Sequence, residues 1–280
     1  MNDFFSEIVT ELAGTGIESP RLEARRIFAF VQKKEEAEIY AGCAVTEAEK
    51  QKIKVLCDQR KKHCPLDKLL GKKGFYKNEF ITGKDVLSPR PDTELLVEKA
   101  LELLPSDSTA DILDLGTGSG CIVESILAER PYVQGVAVDI SAAALEIAQR
   151  NAVNLQVDKR LRFINASWFD TDFLGHFAKS FRLIVSNPPY IPQAEIQSLE
   201  PEVREYDPIM ALDGGKSGFD CYIRIAELIP ELLADGGFIL LEAGKGQAYQ
   251  IAEIYKAAGL KLIQIAADLA GTDRCVILQK

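Results

Sequence analysis

The chain has 280 residues, 47% hydrophobic and 27% charged, a globular composition long enough for one large domain and part of a second. A net charge of −9 argues against general nucleic-acid binding, and no apolar run approaches the length that spans a bilayer. The start, Met1-Asn2-Asp3-Phe4-Phe5, lacks the pattern of a secretory signal, and the six cysteines (Cys43, Cys57, Cys64, Cys121, Cys221, Cys275) lack metal-site spacing, so free thiols, no bound metal and a cytoplasmic location are expected.

Residues 1–72 read as a small helical domain. Ser19-Pro20 offers an N-cap and a first-turn proline, and Thr46 with Glu49 forms a capping-box pattern for a helix running to about Lys62. Leu12, Ile27, Phe28, Val31, Ile39, Ile53, Leu56, Leu69 and Leu70 supply its apolar faces. No catalytic constellation falls here, so a recognition role is expected. Within the acidic chain, Lys50 to Lys77 carries ten Lys or Arg against only Asp58 and Asp67. That run reads as a solvated helix face or as a docking patch for an acidic partner or RNA. Residues 73–88 are expected to form a β-hairpin linker, with Asn78-Glu79 as the turn between Phe75-Tyr76-Lys77 and Phe80-Ile81-Thr82. Pro89-Arg90-Pro91 opens the last domain, 89–280, and Asp92 to Leu104 reads as an amphipathic helix.

From Ala110 strands and helices alternate. Strands are predicted at Asp111–Leu115, Val133–Val138, Leu161–Ile164, Arg182–Val185 and Gly237–Leu241, with helices at Cys121–Glu129, Ala142–Asn151, Ile223–Leu233 and Gln247–Ala258. Leu260–Ile265 and Arg274–Leu278 follow with no helix between them. The expected fold is α/β: a Rossmann-like, seven-stranded, mostly parallel sheet with an antiparallel edge hairpin. Such a sheet binds its ligand at the carboxyl ends of its strands.

Two constellations sit at those ends. Gly116-Thr117-Gly118-Ser119-Gly120 follows the first sheet strand and opens a helix. Its spacing differs from the Gly-x-Gly-x-x-Gly of dinucleotide folds, so it suits a cofactor that lays an amino-acid end and a ribose along the loop. Asp139 ends the second strand, where a carboxylate can accept both ribose hydroxyls or cap the following helix. Asn187-Pro188-Pro189-Tyr190 ends the fourth strand. Two prolines remove two donors and fix two φ angles, leaving a stiff turn able to hold a planar NH2 group by its acceptors.

Together these residues resemble a class I S-adenosylmethionine-dependent methyltransferase, in which Asn-Pro-Pro-Tyr implies methylation of a planar NH2. Pro65-Leu66, Leu69, Gly71, Leu87-Ser88-Pro89-Arg90-Pro91-Asp92-Thr93-Glu94, Ile184 to Ile191 and Glu202-Val203-Arg204 are similar to the peptide chain release factor N5-glutamine methyltransferases. Lys68, Ser88 and Glu124 depart from that family's usual residues. The resemblance implies S-adenosyl-L-methionine as cofactor, with Gly116, Thr117, Gly118, Ser119, Gly120, Asp139, Trp168 and Asn187 as its contacts. It implies that Asn187, Pro188, Pro189 and Tyr190 hold the glutamine, with Asn187, Pro188 and Tyr190 catalytic. The Asn187 side-chain oxygen and the Pro188 carbonyl are expected to accept the two amide hydrogens while Tyr190 covers the amide plane. Class I release factors are the implied partners of a monomeric enzyme. An N6-adenine DNA or RNA methyltransferase is the alternative, opposed by the net acidity and by the lack of a base-reading module.

Overall fold

A computed structural model describes residues 3–40 and 44–280, so Met1, Asn2 and Cys43 lie outside the described residues. Contacts divide the chain into two units, Met1–Lys72 with Glu200–Tyr206, and Lys73–Leu199 with Asp207–Lys280.

The first unit is helical: α1 (Asp3–Ala13), α2 (Pro20–Gln32), α3 (Glu36–Tyr40), α4 (Glu47–Arg60) and α5 (Leu66–Leu70), joined by a single turn at Pro201–Arg204, which is α9 in chain order. The capping box forms as predicted: the Glu49 N–H donates to Thr46 Oγ1 and the Thr46 N–H donates to Glu49 Oε2 at 2.7 Å. Phe4, Phe5, Ile8 and Leu12 of α1 close against Ile27 and Phe28 of α2 and Ile53 of α4. Leu69 and Leu70 stay half-buried, because α5 is a single turn that presents no continuous stripe. Arg60 is buried and doubly neutralised, by Glu23 at 2.5 Å and by Glu202 at 2.7 Å. Part of the basic run is paired within the chain: Lys50, Lys54, Lys61 and Lys77 meet Glu47, Glu7, Glu11 and Glu129 respectively.

The hairpin forms, but with a different register from the predicted one: β1 is Lys72–Phe75, β2 is Asn78–Ile81, and the turn falls on Tyr76-Lys77. Tyr76 takes the left-handed backbone (φ 55°) and its N–H donates to Glu94 Oε1 at 2.9 Å. Phe75 and Phe80 meet edge to face at 5.9 Å within one core.

The second unit holds the sheet: β3 (Asp111–Leu115), β4 (Gln134–Asp139), β5 (Leu161–Asn165), β6 (Phe181–Ser186), β7 (Leu233–Glu242), β8 (Lys261–Ala267) and β9 (Asp273–Gln279). Their order is β5-β4-β3-β6-β7-β9-β8, parallel from β5 to β7, with β9 antiparallel to both neighbours. The seven-stranded sheet with its edge hairpin is the predicted one. Side chains alternate between two cores. Leu113 and Leu115 of β3 face α10 (Asp220–Leu232) and α11 (Ala248–Ala257), whereas Ile112 faces α6 (Glu94–Leu103), α7 (Cys121–Glu129) and α8 (Ala142–Asn154). β7 starts four residues before the predicted strand and α10 three before the predicted helix. The β7 extension runs through Asp235 and Gly236 and is paired at Leu233 with Phe181, whereas the α10 extension begins at Asp220. No described helix is long and apolar enough to cross a membrane.

Register places the site. Leu115 lies opposite Val138 on one side and Ser186 on the other, Asp139 opposite Asn165, and Ser186 opposite Leu241. Everything that follows those residues therefore emerges along one edge. The strand order reverses between β3 and β6, which run parallel, and that is where a doubly wound sheet opens its crevice.

Candidate active site

The loop after β3 is held by the chain's own backbone and carboxylates. The Gly116 and Thr117 N–H groups both donate to Val138 O at 2.9 Å, tying the loop to β4. Gly116 has φ 76°, which favours glycine, and a Cβ there would meet the Trp168 ring in a tight contact at 3.3 Å. Asp139 divides its oxygens: Oδ2 accepts the Gly118 N–H at 2.8 Å and Oδ1 accepts the Ser141 N–H at 2.9 Å. The carboxylate thus braces the loop and the entry to α8, with lone pairs left over on each oxygen. Ser141 caps α8 through the Ala144 N–H.

Beneath the loop lie two further acids. The Thr117 hydroxyl donates to Asp114 Oδ2 at 2.8 Å, and burial pushes the Asp114 carboxyl up to about 7. Glu124, on the first turn of α7, is fully buried and neither of its oxygens finds a hydrogen-bond partner. Burial, with the Asp114 charge beside it, holds its carboxyl well above the usual range. Asn151 of α8 joins three pieces. Its Nδ2 donates to Ser119 O at 2.9 Å and to Ile81 O at 3.1 Å, and its Oδ1 accepts the Ile81 N–H at 2.7 Å.

The Asn187–Tyr190 turn is clamped from both ends. The Ser186 hydroxyl donates to Leu115 O at 2.6 Å. Beyond the turn, the Ile191 N–H donates to Leu212 O, the Gly214 N–H donates to Ile191 O, and Gln247 Nε2 donates to Tyr190 O at 3.0 Å. A Cβ on Gly214 would lie 2.7 Å from the Tyr190 Cα, so the backbones touch. Asn187 Nδ2 donates to Thr93 Oγ1 at 3.3 Å, and Thr93 Oγ1 donates to Glu242 Oε2 at 2.5 Å. Burial pushes the Glu242 carboxyl up to about 7.

These elements surround a cavity of 470 Å³. Gly116 to Ser119, Asp139, Trp168, Asn187 and Pro189 line it, together with Thr93, Ser88 and Arg90. Gly120 sits just behind, at the start of α7. Pro188 and Tyr190 are not among the lining residues; Pro188 is buried and the Tyr190 ring lies against Gly244. Ile140, Phe169, Ile209 and Met210 form an exposed apolar rim. Sequence reading missed Thr93, Asn151, Glu242 and the segment Leu212–Gly218. A buried Asn and Glu inside amphipathic patterns are the one signal that points to two of them.

A glycine loop after the central strand, an acid after the next and an Asn-Pro-Pro-Tyr turn after the fourth define a class I methyltransferase. A methyltransferase from Pyrococcus furiosus shares the fold (TM-score 0.50, 16% identity, 74% of this chain and 87% of that one). Family profiles described as "PrmC N-terminal domain" and "Methyltransferase small domain" match residues 3–71 and 91–200. The release factor glutamine methyltransferase of Rhodospirillum rubrum is 40% identical over 95% of this chain and 80% of its own length. That of Caulobacter vibrioides is 37% identical over 95% and 91%. The chain belongs to the release factor glutamine methyltransferase family.

Proposed function

We propose that the protein transfers a methyl group to the side-chain amide nitrogen (N5) of a glutamine in class I peptide chain release factors, as a cytoplasmic monomer. The observation that carries this reading is the Asn187-Pro188-Pro189-Tyr190 turn beside a cavity shaped by glycine backbone, an acid and an indole. S-adenosyl-L-methionine suits that cavity. The absent Cβ of Gly116 lets Trp168 close on the loop, and Asp139 keeps unused lone pairs next to Gly118. Gly116 to Gly120, Asp139, Trp168 and Asn187 would hold it, and when bound it supplies an electrophilic methyl group.

The chain's own residues address the nucleophile. An amide nitrogen is weakly nucleophilic because its lone pair is delocalised into the carbonyl. Two acceptors, Asn187 Oδ1 and the Pro188 carbonyl, would each take one N–H and aim the nitrogen into the cavity. Orientation of this kind is worth up to roughly 7–11 kcal/mol. Acceptors also favour the positive charge that develops on nitrogen. Tyr190 follows the acceptor pair and would shield it from water. The helical unit would recognise the factor.

The test uses methyl-labelled S-adenosylmethionine with a release factor or with duplex DNA. Label in the factor, abolished when its acceptor glutamine is replaced by alanine, supports the reading. Label in DNA alone overturns it.

A further inference from the structure

A carboxamide has an acceptor end and a donor end of nearly equal size, and a half-turn about its last torsion exchanges them. If Asn187 grips a substrate NH2 through Oδ1, the wrong rotamer would point its own N–H groups at that NH2. The turn's prolines fix the backbone and leave this choice open. Something else must make it.

We infer that Thr93 and Glu242 are positioning residues that lock the Asn187 carboxamide with its oxygen free for substrate. The inference rests on the acceptor role given to Asn187 above. A threonine hydroxyl has one proton and two lone pairs. The Thr93 proton is directed to Glu242 Oε2 at 2.5 Å, so only lone pairs face Asn187. Asn187 must then offer a donor in that direction, and it does so through Nδ2 at 3.3 Å. The donor end is thereby committed and Oδ1 is released. Thr93 and Glu242 are only 3% and 2% exposed, so water does not compete for the hydroxyl. The three residues come from different elements: the turn Pro91–Thr93 ahead of α6, the end of β6 and the end of β7. Register brings the last two together, since Ser186 pairs with Leu241. Thr93 and Asn187 line the cavity and Glu242 does not, so the Thr93 hydroxyl is the hydrogen-bonded link from Glu242 to Asn187.

Four single variants of the full chain and one double variant test this, assayed with a release factor and S-adenosylmethionine at a pH of about 8, where Glu242 is ionised. Thr93→Val keeps the shape and removes the hydroxyl. It should lower kcat at least tenfold while leaving the cofactor Kd within about twofold, because the carboxamide is then free to turn. Thr93→Ser restores the hydroxyl and most of the kcat. Glu242→Gln should lower kcat in the wild-type background and have no further effect beside Thr93→Val, since its influence passes through Thr93. A Thr93→Val enzyme with full kcat, or an added loss from Glu242→Gln in that background, overturns the inference. Asn187→Ala separates the two ideas. If it keeps normal turnover, the acceptor role itself fails. If it is inactive while Thr93→Val is not, only the positioning fails.

Discussion

A wholly buried carboxyl with both oxygens unpartnered raises the free energy of the folded state, and Glu124 is such a group. Its carboxyl occupies the space a Gly120 side chain would need, with Oε1 2.0 Å from the position of a Cβ there. Glu124→Met fills similar volume without an oxygen to desolvate. It should stabilise the protein by about 1–3 kcal/mol, read as a raised denaturation midpoint. A lowered midpoint would mean that the carboxyl has a partner of its own. At this scale the sequence is legible where a residue constrains its own backbone: Asn187 stands out because two prolines follow it, and Gly116 because glycine tolerates its φ. Thr93 and Glu242 carry no such mark. Their hydrogen bond spans 149 positions, and a threonine two residues after a proline reads as an ordinary turn residue.

Elements repeat the contrast. Strand and helix existence follows from periodicity, and the capping box at Thr46 and Glu49 is a local reciprocal bond that any reader of sequence can place. The hairpin register is set from outside the hairpin. Asn78-Glu79 is a plausible turn by composition, yet Glu94 holds the Tyr76 N–H and Asn151 holds both polar groups of Ile81, drawing the turn back to Tyr76-Lys77. The same carboxamide fixes Ser119 O, so one side chain couples hairpin, α8 and glycine loop. Asn151→Ala should therefore cost about 2–4 kcal/mol of stability through three lost hydrogen bonds. It should also weaken cofactor binding, because the loop loses its brace. Calorimetric unfolding and cofactor titration measure the two effects; a variant with wild-type values for both would refute the coupling.

Across the molecule, buried acids set the response to pH. Asp114 and Glu242 titrate near 7 when folded, against ordinary values of 3.8 and 4.5. Between those limits the folded chain holds protons that the unfolded chain has released, so stability falls as pH rises through this window and levels off above it. Glu36, Glu49, Asp58 and Asp268 shift the other way, and their contribution changes only below their ordinary values. Thermal unfolding should thus occur at higher temperature near pH 5.5 than near pH 8. A flat or rising trend would show these carboxyls to be ionised in the fold throughout. The helical unit has a different kind of consequence. It includes Glu200–Tyr206 along with Met1–Lys72, and Glu202 supplies the second counter-charge to Arg60. In terms of inheritance it is no cassette. A gene fragment ending at codon 72 leaves that arginine half-neutralised, and one beginning at codon 73 carries an acidic segment without its mate. Moving this piece with its ion pairs intact would mean moving two separated stretches at once.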